Sequence, residues 1–137
     1  MHLSPIRLAI VAAVALAACT PAVPPSQSPK ALKDLAANTG FAFAADELCT
    51  GIVANEPVIE RASEDVVVEM VNAGYTSVQI DSMLAGLARD EAWMFPYVVA
   101  LQRKYDLDLD DDAGFCRAMD AELRANTPIG LFLRRDI

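Results

Sequence analysis

Carboxylates are the main side chains that could perform chemistry in this sequence, and the densest group of them runs from Asp106 to Asp112. Acids at alternate positions could bind calcium, but a calcium loop of the EF-hand type needs glycine at its sixth position, where this chain has Asp111. It also needs a bidentate glutamate at the twelfth position, where Arg117 stands. We therefore expect a solvated acidic loop that leads into a helix N-terminus, where negative charge is favoured, and no metal site.

Two further pairs of acids, Glu60 with Glu64 and Asp65 with Glu69, are spaced by one helical turn. General acid–base catalysis would require one member of a pair to lie in a cleft with a raised pKa. We expect all four acids to be solvated on a helix surface and predict no catalytic residue. A carboxylate-dependent hydrolase that acts on cell-wall glycans is the alternative.

The N-terminal segment has the pattern of a secretory signal. Arg7 precedes eleven apolar residues, 8–18, which as a helix would rise about 16 Å, too short to cross a membrane. The run closes on Leu16-Ala17-Ala18-Cys19, which resembles the lipobox of bacterial lipoproteins. This resemblance implies that residues 1–18 are a removed signal peptide and that the Cys19 thiol carries a diacylglyceryl group. Several acyl chains together would anchor the protein stably to a membrane.

Cleavage before Cys19 changes the inventory of reactive side chains. The only histidine, His2, would leave with the signal peptide, which excludes serine–histidine and cysteine–histidine nucleophiles and histidine-containing zinc sites. Cys49 and Cys116 would remain as an even pair in an oxidising compartment, and we predict a disulfide between them. A redox-active pair is the weaker alternative, because the two cysteines lack Cys-x-x-Cys spacing.

Residues 19–29 form a proline-rich segment with four prolines. We predict an extended tether that would hold the domain about 30 Å from the lipid surface. Thr20, rather than an acidic residue, follows the cysteine. In lipoproteins of the enteric type this implies an outer-membrane location facing the periplasm.

Charge and length limit the function of the remaining chain. The sequence has 11 basic and 19 acidic residues, so loss of Arg7 leaves 10 against 19 and a net charge of −9. This acidity argues against nucleic acid and against direct contact with anionic lipids. Residues 30–137 are long enough for one modest domain.

Hydrophobic periodicity predicts an all-α domain, a small bundle of five to six short helices, because apolar residues recur with helical spacing and no strand pair is convincing. The inward positions expected are Phe41, Ala44, Ala45, Leu48, Cys49, Ile52 and Val53; Ile59, Ala62, Val66, Met70 and Val71; Ile80, Met83, Leu84 and Leu87; Val98, Leu101 and Tyr105; and Phe115, Cys116, Met119 and Leu123.

Several short motifs predict the helix ends. Gly74-Tyr75 is typical of a helix C-terminus, Thr76 with Gln79 of a capping box, and Pro96 of a helix start or kink. Asp112 is expected to cap the next helix. Thr127-Pro128 is expected to begin a last short helix, with Arg134 and Arg135 at its negative end.

The order of these features resembles an uncharacterised family of short exported bacterial proteins, known only as a domain of unknown function. The resemblance covers about residues 41–135. It lies in Cys49, Gly74-Tyr75-Thr76 with Ile80, Cys116, Ile129-Gly130 and Leu133-Arg134. It implies a helical, disulfide-linked domain and no particular activity or cofactor.

Trp93, Phe95 and Tyr97 are the candidate interaction residues. Five consecutive bulky positions, 93–97, cannot all face one core, and exposed aromatic side chains often anchor protein interfaces. The favoured alternative to an interaction surface is that these aromatic side chains pack in the core around a helix start. The function expected is a non-enzymatic lipoprotein, held on the membrane through Cys19, that binds another protein. A small-ligand or calcium-binding lipoprotein is a further alternative.

Overall fold

A computed structural model describes residues 22–108 and 110–137, so the expectations for the signal peptide and Cys19 lie outside the described residues. The elements are α1 (Lys30–Leu48), β1 (Ile52–Ala54), α2 (Glu56–Asn72), α3 (Ser77–Arg89), α4 (Phe95–Tyr105), α5 (Asp112–Ala125) and β2 (Leu133–Arg135). Short 3₁₀ turns lie at Pro25–Gln27, Glu91–Met94 and Gly130–Phe132. The prediction of a small helical bundle is confirmed.

The expectation that the first helix continues through Ile52 and Val53 is wrong. Helix α1 ends at Leu48, and Gly51 then takes a positive φ of 80°, a conformation that glycine adopts without steric cost. The following three residues form β1, which pairs antiparallel with β2, Ile52 lying opposite Arg135. The expectation that the chain lacks a strand pair is therefore also wrong.

The last helix expected after Thr127-Pro128 is replaced by the 3₁₀ turn Gly130–Phe132. The Thr127 hydroxyl accepts a hydrogen bond from the Gly130 amide at 3.1 Å, which fits the predicted turn start. The chain then extends instead of continuing helically, because β2 completes its backbone hydrogen bonds with β1. Arg134 and Arg135 consequently lie in a strand and not at a helix end.

The junction between α2 and α3 is as predicted. Gly74 has a φ of 99°, and the amide of Tyr75 donates to the Met70 carbonyl at 3.0 Å, which closes the end of α2. The Thr76 hydroxyl accepts from the Gln79 amide at 3.2 Å, and the Gln79 side chain accepts from the Thr76 amide at 2.8 Å. The capping box is therefore confirmed.

The starts of α4 and α5 agree with the sequence to within one residue. Helix α4 begins at Phe95 with Pro96 in its first turn, so the proline starts the helix rather than kinking it. The cap of α5 is Asp111 and not Asp112, since the Asp111 carboxylate accepts from the Gly114 amide at 2.9 Å. Asp112 is instead the first residue of the helix.

Two groups of buried side chains form the interior. The first cluster contains Phe41, Ala42, Ala45, Cys49, Ile52, Ala54, Ile59, Leu101, Ala118, Met119, Ile129, Phe132 and Leu133. The second cluster contains Leu32, Met70, Ile80, Met83 and Leu87. Helix α1 contributes to both. Leu48, Val71 and Leu84, which were expected to face inward, are exposed, because the facing elements do not cover those parts of α1, α2 and α3.

The predicted disulfide between Cys49 and Cys116 is present. Their Cα atoms lie 5.4 Å apart, and the two residues are 67 positions apart in the sequence. The bond joins the end of α1 to α5 beside the first cluster, so it links two elements that are distant in sequence. Such a link restricts the unfolded chain and stabilises the fold.

The proline-rich segment is not wholly separate from the domain, although a free tether was expected. The amide of Val23 donates to the Ser82 carbonyl of α3 at 3.0 Å, and the Val23 side chain packs against the second cluster. The prolines favour an extended chain, but Val23 and Ser28 still bury surface on the fold. The described part of the segment therefore contacts the domain before α1 begins.

Candidate functional site

A largely apolar cavity lies between the C-terminal half of α1, helix α4 and the start of α5. Its volume is about 290 Å³. The apolar lining residues are Phe41, Ala44, Leu48, Met94, Val98, Leu101, Leu107 and Phe115, with Gly40 beside them; Gln102, Asp108 and Asp112 complete the wall. We call this cavity the apolar pocket.

Helical spacing explains why these side chains meet. Phe41, Ala44 and Leu48 are three and four residues apart and share one face of α1, while Val98 and Leu101 share one face of α4. Leu48 keeps 49% of its side-chain surface exposed, because the wall is incomplete at that end of α1. The sequence therefore predicted the stripe, but not that part of it would stay open.

A left-handed residue brings Leu107 to the pocket. Asp106 ends α4 with a φ of 52°, a conformation that aspartate tolerates better than most residues. The Leu107 amide then donates to the Gln102 carbonyl at 2.9 Å, which turns the chain back towards the pocket wall. The acidic loop therefore also helps to shape the pocket, because its turn at Asp106 places Leu107 in the wall.

Two acids of that loop, Asp108 and Asp112, give the pocket a negative rim. Both are exposed, and the Asp108 carboxylate accepts from the Asp110 amide at 3.2 Å. Within residues 22–108 and 110–137, no group of three or more His, Cys, Asp or Glu side chains could hold a metal ion. The rim places negative charge next to an apolar surface.

The three candidate aromatic residues have different environments. The Trp93 indole N–H donates to the Leu87 carbonyl at 2.9 Å, and the Tyr97 hydroxyl donates to the Asp34 carboxylate at 2.7 Å. Their rings meet edge to face at 5.9 Å, so both side chains are partly buried. Phe95 is 69% exposed. Of the predicted interaction surface, only Phe95 is fully available to a partner.

Burial and hydrogen bonding shift the ionisation of the Tyr97–Asp34 pair. Burial, and then the hydrogen bond to Asp34, raise the pKa of Tyr97 to about 12. Burial alone would raise the pKa of Asp34, but hydrogen bonds from Lys30 and Tyr97 outweigh it, and this pKa is lowered overall. The pair therefore stays a carboxylate and a neutral phenol across the neutral range.

Glu122 is a buried acid that the sequence analysis missed. Its carboxylate accepts from the Lys104 ammonium and the Tyr105 hydroxyl, both at 2.8 Å. The hydrogen bond to Glu122 raises the pKa of Lys104, and burial followed by the same acceptor raises that of Tyr105. Its position three residues after the buried Met119 was the available signal. The contacts are those of a structural ion pair.

Comparisons with protein-family models, curated proteins and solved structures gave no match. The resemblances drawn from the lipobox and from the exported family therefore stay predictions. In the part of the chain that the structure describes, no helix is long and apolar enough to cross a membrane.

The acids considered for catalysis lie elsewhere. Glu60, Glu64, Asp65 and Glu69 are all exposed along α2. General acid–base catalysis needs a carboxylate held in a cleft, and these four acids lie on an open helix surface. The arrangement with the clearest capacity to bind is therefore the apolar pocket with its acidic rim.

Proposed function

We propose that this chain is a non-enzymatic envelope lipoprotein whose helical domain binds another protein through the apolar pocket. The observation that carries this proposal is the combination of an apolar cavity of about 290 Å³ with a rim formed by Asp108 and Asp112. A cavity of this kind can accept an apolar side chain, and the rim can select a neighbouring cation on the same partner.

The anchor is proposed from the sequence. Leu16-Ala17-Ala18-Cys19 supports cleavage before Cys19 and attachment of lipid to its thiol. Thr20 supports an outer-membrane position facing the periplasm. Because the chain is strongly acidic, we propose that the lipid and not the protein surface provides the membrane affinity.

The size and openness of the pocket favour a protein partner over a small ligand. Ligand sites usually enclose about 300–1,000 Å³ and surround most of the ligand. The apolar pocket lies at the lower limit of that range, and the half-exposed Leu48 leaves one side open. One or two apolar side chains of a partner would fit such a cavity as interface anchors.

The exposed apolar residues near the pocket extend the proposed interface. Met94 lines the pocket, and the next residue, Phe95, begins α4 with most of its side chain exposed. The proposed partner therefore presents an apolar anchor for the pocket, apolar surface for Phe95 and a lysine or arginine for the rim. Large aromatic residues contribute strongly to binding where a partner excludes water from them.

Cross-linking in intact cells, followed by mass spectrometry of the native lipoprotein without reductant, tests this function. We expect cross-links to a partner that decline at least about tenfold in Leu48→Ser, because this change removes apolar contact at the pocket mouth. The control Val68→Ser alters an apolar residue outside the pocket lining that is 58% exposed, against 49% for Leu48. Equal cross-linking by both variants, or a domain that is always found alone, would contradict the proposal.

A charge test uses Asp108→Asn with Asp112→Asn, and compares it with Asp65→Asn and Asp81→Asn on exposed parts of α2 and α3. We expect the double variant of the rim to bind the partner more weakly and to make binding less sensitive to salt concentration. We expect the control variants to change neither property. A small apolar molecule that co-purifies with the pocket, without a cross-linked partner, would overturn protein binding in favour of ligand carriage.

A further inference from the structure

The segment Val23–Ser28, which we call the clasp, lies on α3 and the second cluster. The Val23 amide donates to the Ser82 carbonyl at 3.0 Å, and its side chain packs against the cluster that contains Leu87. The 3₁₀ turn Pro25–Gln27 follows, and Ser28 is 5% exposed. The clasp thus packs at a defined position on the domain. In the sequence it begins only a few residues after Cys19.

Gly86 leaves the space in which the backbone of Val23 packs against α3. A Cβ atom on Gly86 would lie 1.7 Å from the Val23 carbonyl oxygen, far inside any possible contact distance. The obstacle is backbone and not a flexible side chain, so any larger residue at position 86 must displace Val23. Glycine in a helix interior is otherwise unfavourable, so the close approach gives it a physical role here.

Other features of the clasp favour its release. The Ser28 hydroxyl oxygen is buried and has no hydrogen-bond partner among the described residues, which disfavours the docked state. Between the clasp and α3, the backbone hydrogen bond from Val23 to Ser82 is the polar contact observed. Docking therefore depends mainly on the fit of Val23 beside Gly86.

The two states would place the domain at different distances from a lipid on Cys19. With the clasp docked, Cys19 and Val23 are joined by four Cα–Cα steps, which can span at most about 14 Å. With the clasp released, Cys19 is joined to the start of α1 at Lys30 by eleven such steps, which span about 34 Å as extended chain. The reach of the domain therefore changes by roughly 20 Å.

We propose that the clasp is a releasable strap, which holds the second cluster close to the membrane when docked and extends the reach of the domain when released. This proposal rests on the lipid anchor at Cys19 put forward under the proposed function. It accounts for a helical glycine at position 86 and for the buried hydroxyl of Ser28. It also assigns the proline-rich segment a second state besides that of a fixed spacer.

The test uses the full lipoprotein in vesicles that contain dansyl-labelled lipid. Trp93, the only tryptophan, packs against the second cluster and serves as the energy donor. Gly86→Ala should lower the energy transfer and accelerate hydrogen exchange of the peptide containing Val23 by about tenfold. Gly40→Ala is the matched control, since its added Cβ meets a Met94 side-chain atom at an ordinary 3.6 Å.

Two further variants make the result independent of any damage to α3. Val23→Ser weakens the same contact from the clasp and should act like Gly86→Ala. Ser28→Ala removes the buried hydroxyl and should slow the exchange of the same peptide. Circular dichroism checks that each variant keeps its helices.

The outcomes separate the two proposals. If the chain carries lipid but Gly86→Ala and Val23→Ser leave both energy transfer and hydrogen exchange unchanged, the clasp proposal is wrong. The anchor proposal then still stands. Intact-mass measurement that shows no lipid on Cys19 would overturn the anchor and the strap together. Lower transfer with faster exchange in those two variants, and not in Gly40→Ala, supports the clasp.

Discussion

The two clusters at opposite ends of α1 are stabilised differently. The first is the larger, and it has the disulfide Cys49–Cys116 and the strand pair at its edge. The second is smaller and has neither, and its helices α2 and α3 leave Val67, Val68, Val71, Val78 and Leu84 exposed. The proposed binding pocket lies beside the first cluster, and the proposed clasp lies on the second.

From this difference we expect the domain to be more rigid around the first cluster and to open locally more easily around the second. A cross-link and a larger buried surface oppose local opening, so we expect the apolar pocket to keep its shape. A small cluster without a cross-link can open at lower cost, as a releasable segment requires. Changes to the first cluster should therefore have the larger effects on stability.

The largest effect is expected from loss of the disulfide. Replacing both cysteines, as Cys49→Ser with Cys116→Ser, avoids an unpaired thiol and should lower the free energy of unfolding by about 4 kcal/mol. The loss is large because the bond closes a long loop between two cysteines that are 67 positions apart. Denaturant unfolding followed by circular dichroism measures it. A loss below about 1 kcal/mol would mean that the first cluster does not depend on its cross-link.

Two identical substitutions compare the clusters directly. Met119→Ala in the first cluster should cost about 3 kcal/mol, and Met70→Ala in the second about 2 kcal/mol. Met119 is 0% exposed beside the disulfide, and we expect its neighbours to relax less into the cavity than those of Met70, which is 3% exposed in the smaller cluster. Denaturant unfolding of both variants provides the measurement. A larger loss for Met70→Ala would reverse the proposed order.

The buried acid beside the first cluster should depend on its cation. Lys104→Met leaves the Glu122 carboxylate buried without its ammonium partner and should cost about 1–2 kcal/mol, a value reduced because Lys104 is half exposed. The control Lys30→Met breaks the exposed pair with Asp34 and should cost less than about 0.5 kcal/mol. Thermal or denaturant unfolding measures both variants. An equal loss of unfolding free energy in Lys104→Met and Lys30→Met would show that the burial of Glu122 is unimportant.

The smallest effect concerns Tyr97, whose ring meets Trp93 between the two clusters. Its pKa is raised to about 12, so its contribution to stability is present below pH 10 and is lost as the pH rises from 10 to 12. Tyr97→Phe should remove this alkaline dependence. Absorbance titration at alkaline pH should lose the amplitude of one tyrosine near 12, whereas Tyr75→Phe should keep it. Tyr105, whose pKa is also raised, titrates in both variants, so an unchanged amplitude near 12 in Tyr97→Phe would contradict the assignment.

Local features of this fold were predictable and distant pairings were not. Gly74, Thr76 and Gln79 fix the α2–α3 junction through contacts within a few residues, which the sequence displays. Ile52 fits both helical and strand spacing, and only its pairing with Arg135 decides between them. A strand of three residues that pairs across about eighty positions leaves too little local pattern to be recognised.

The candidate site was predictable to a similar extent. The stripe of Phe41, Ala44 and Leu48 indicated a buried face, but a stripe does not show whether the facing helix fills the space. The prolines of the clasp indicated extended chain, but not that Val23 docks beside Gly86. Both features arise from the fit between elements distant in sequence, which periodicity along one element does not contain.

Native-state hydrogen exchange of the full chain, measured over a range of denaturant concentrations, tests the proposed difference between the clusters most directly. We expect amides of α3 to exchange through a partial opening at lower free energy than amides of α5, with Gly86→Ala lowering the α3 value further. Exchange of both helices at one common free energy, through unfolding of the whole domain, would contradict the account.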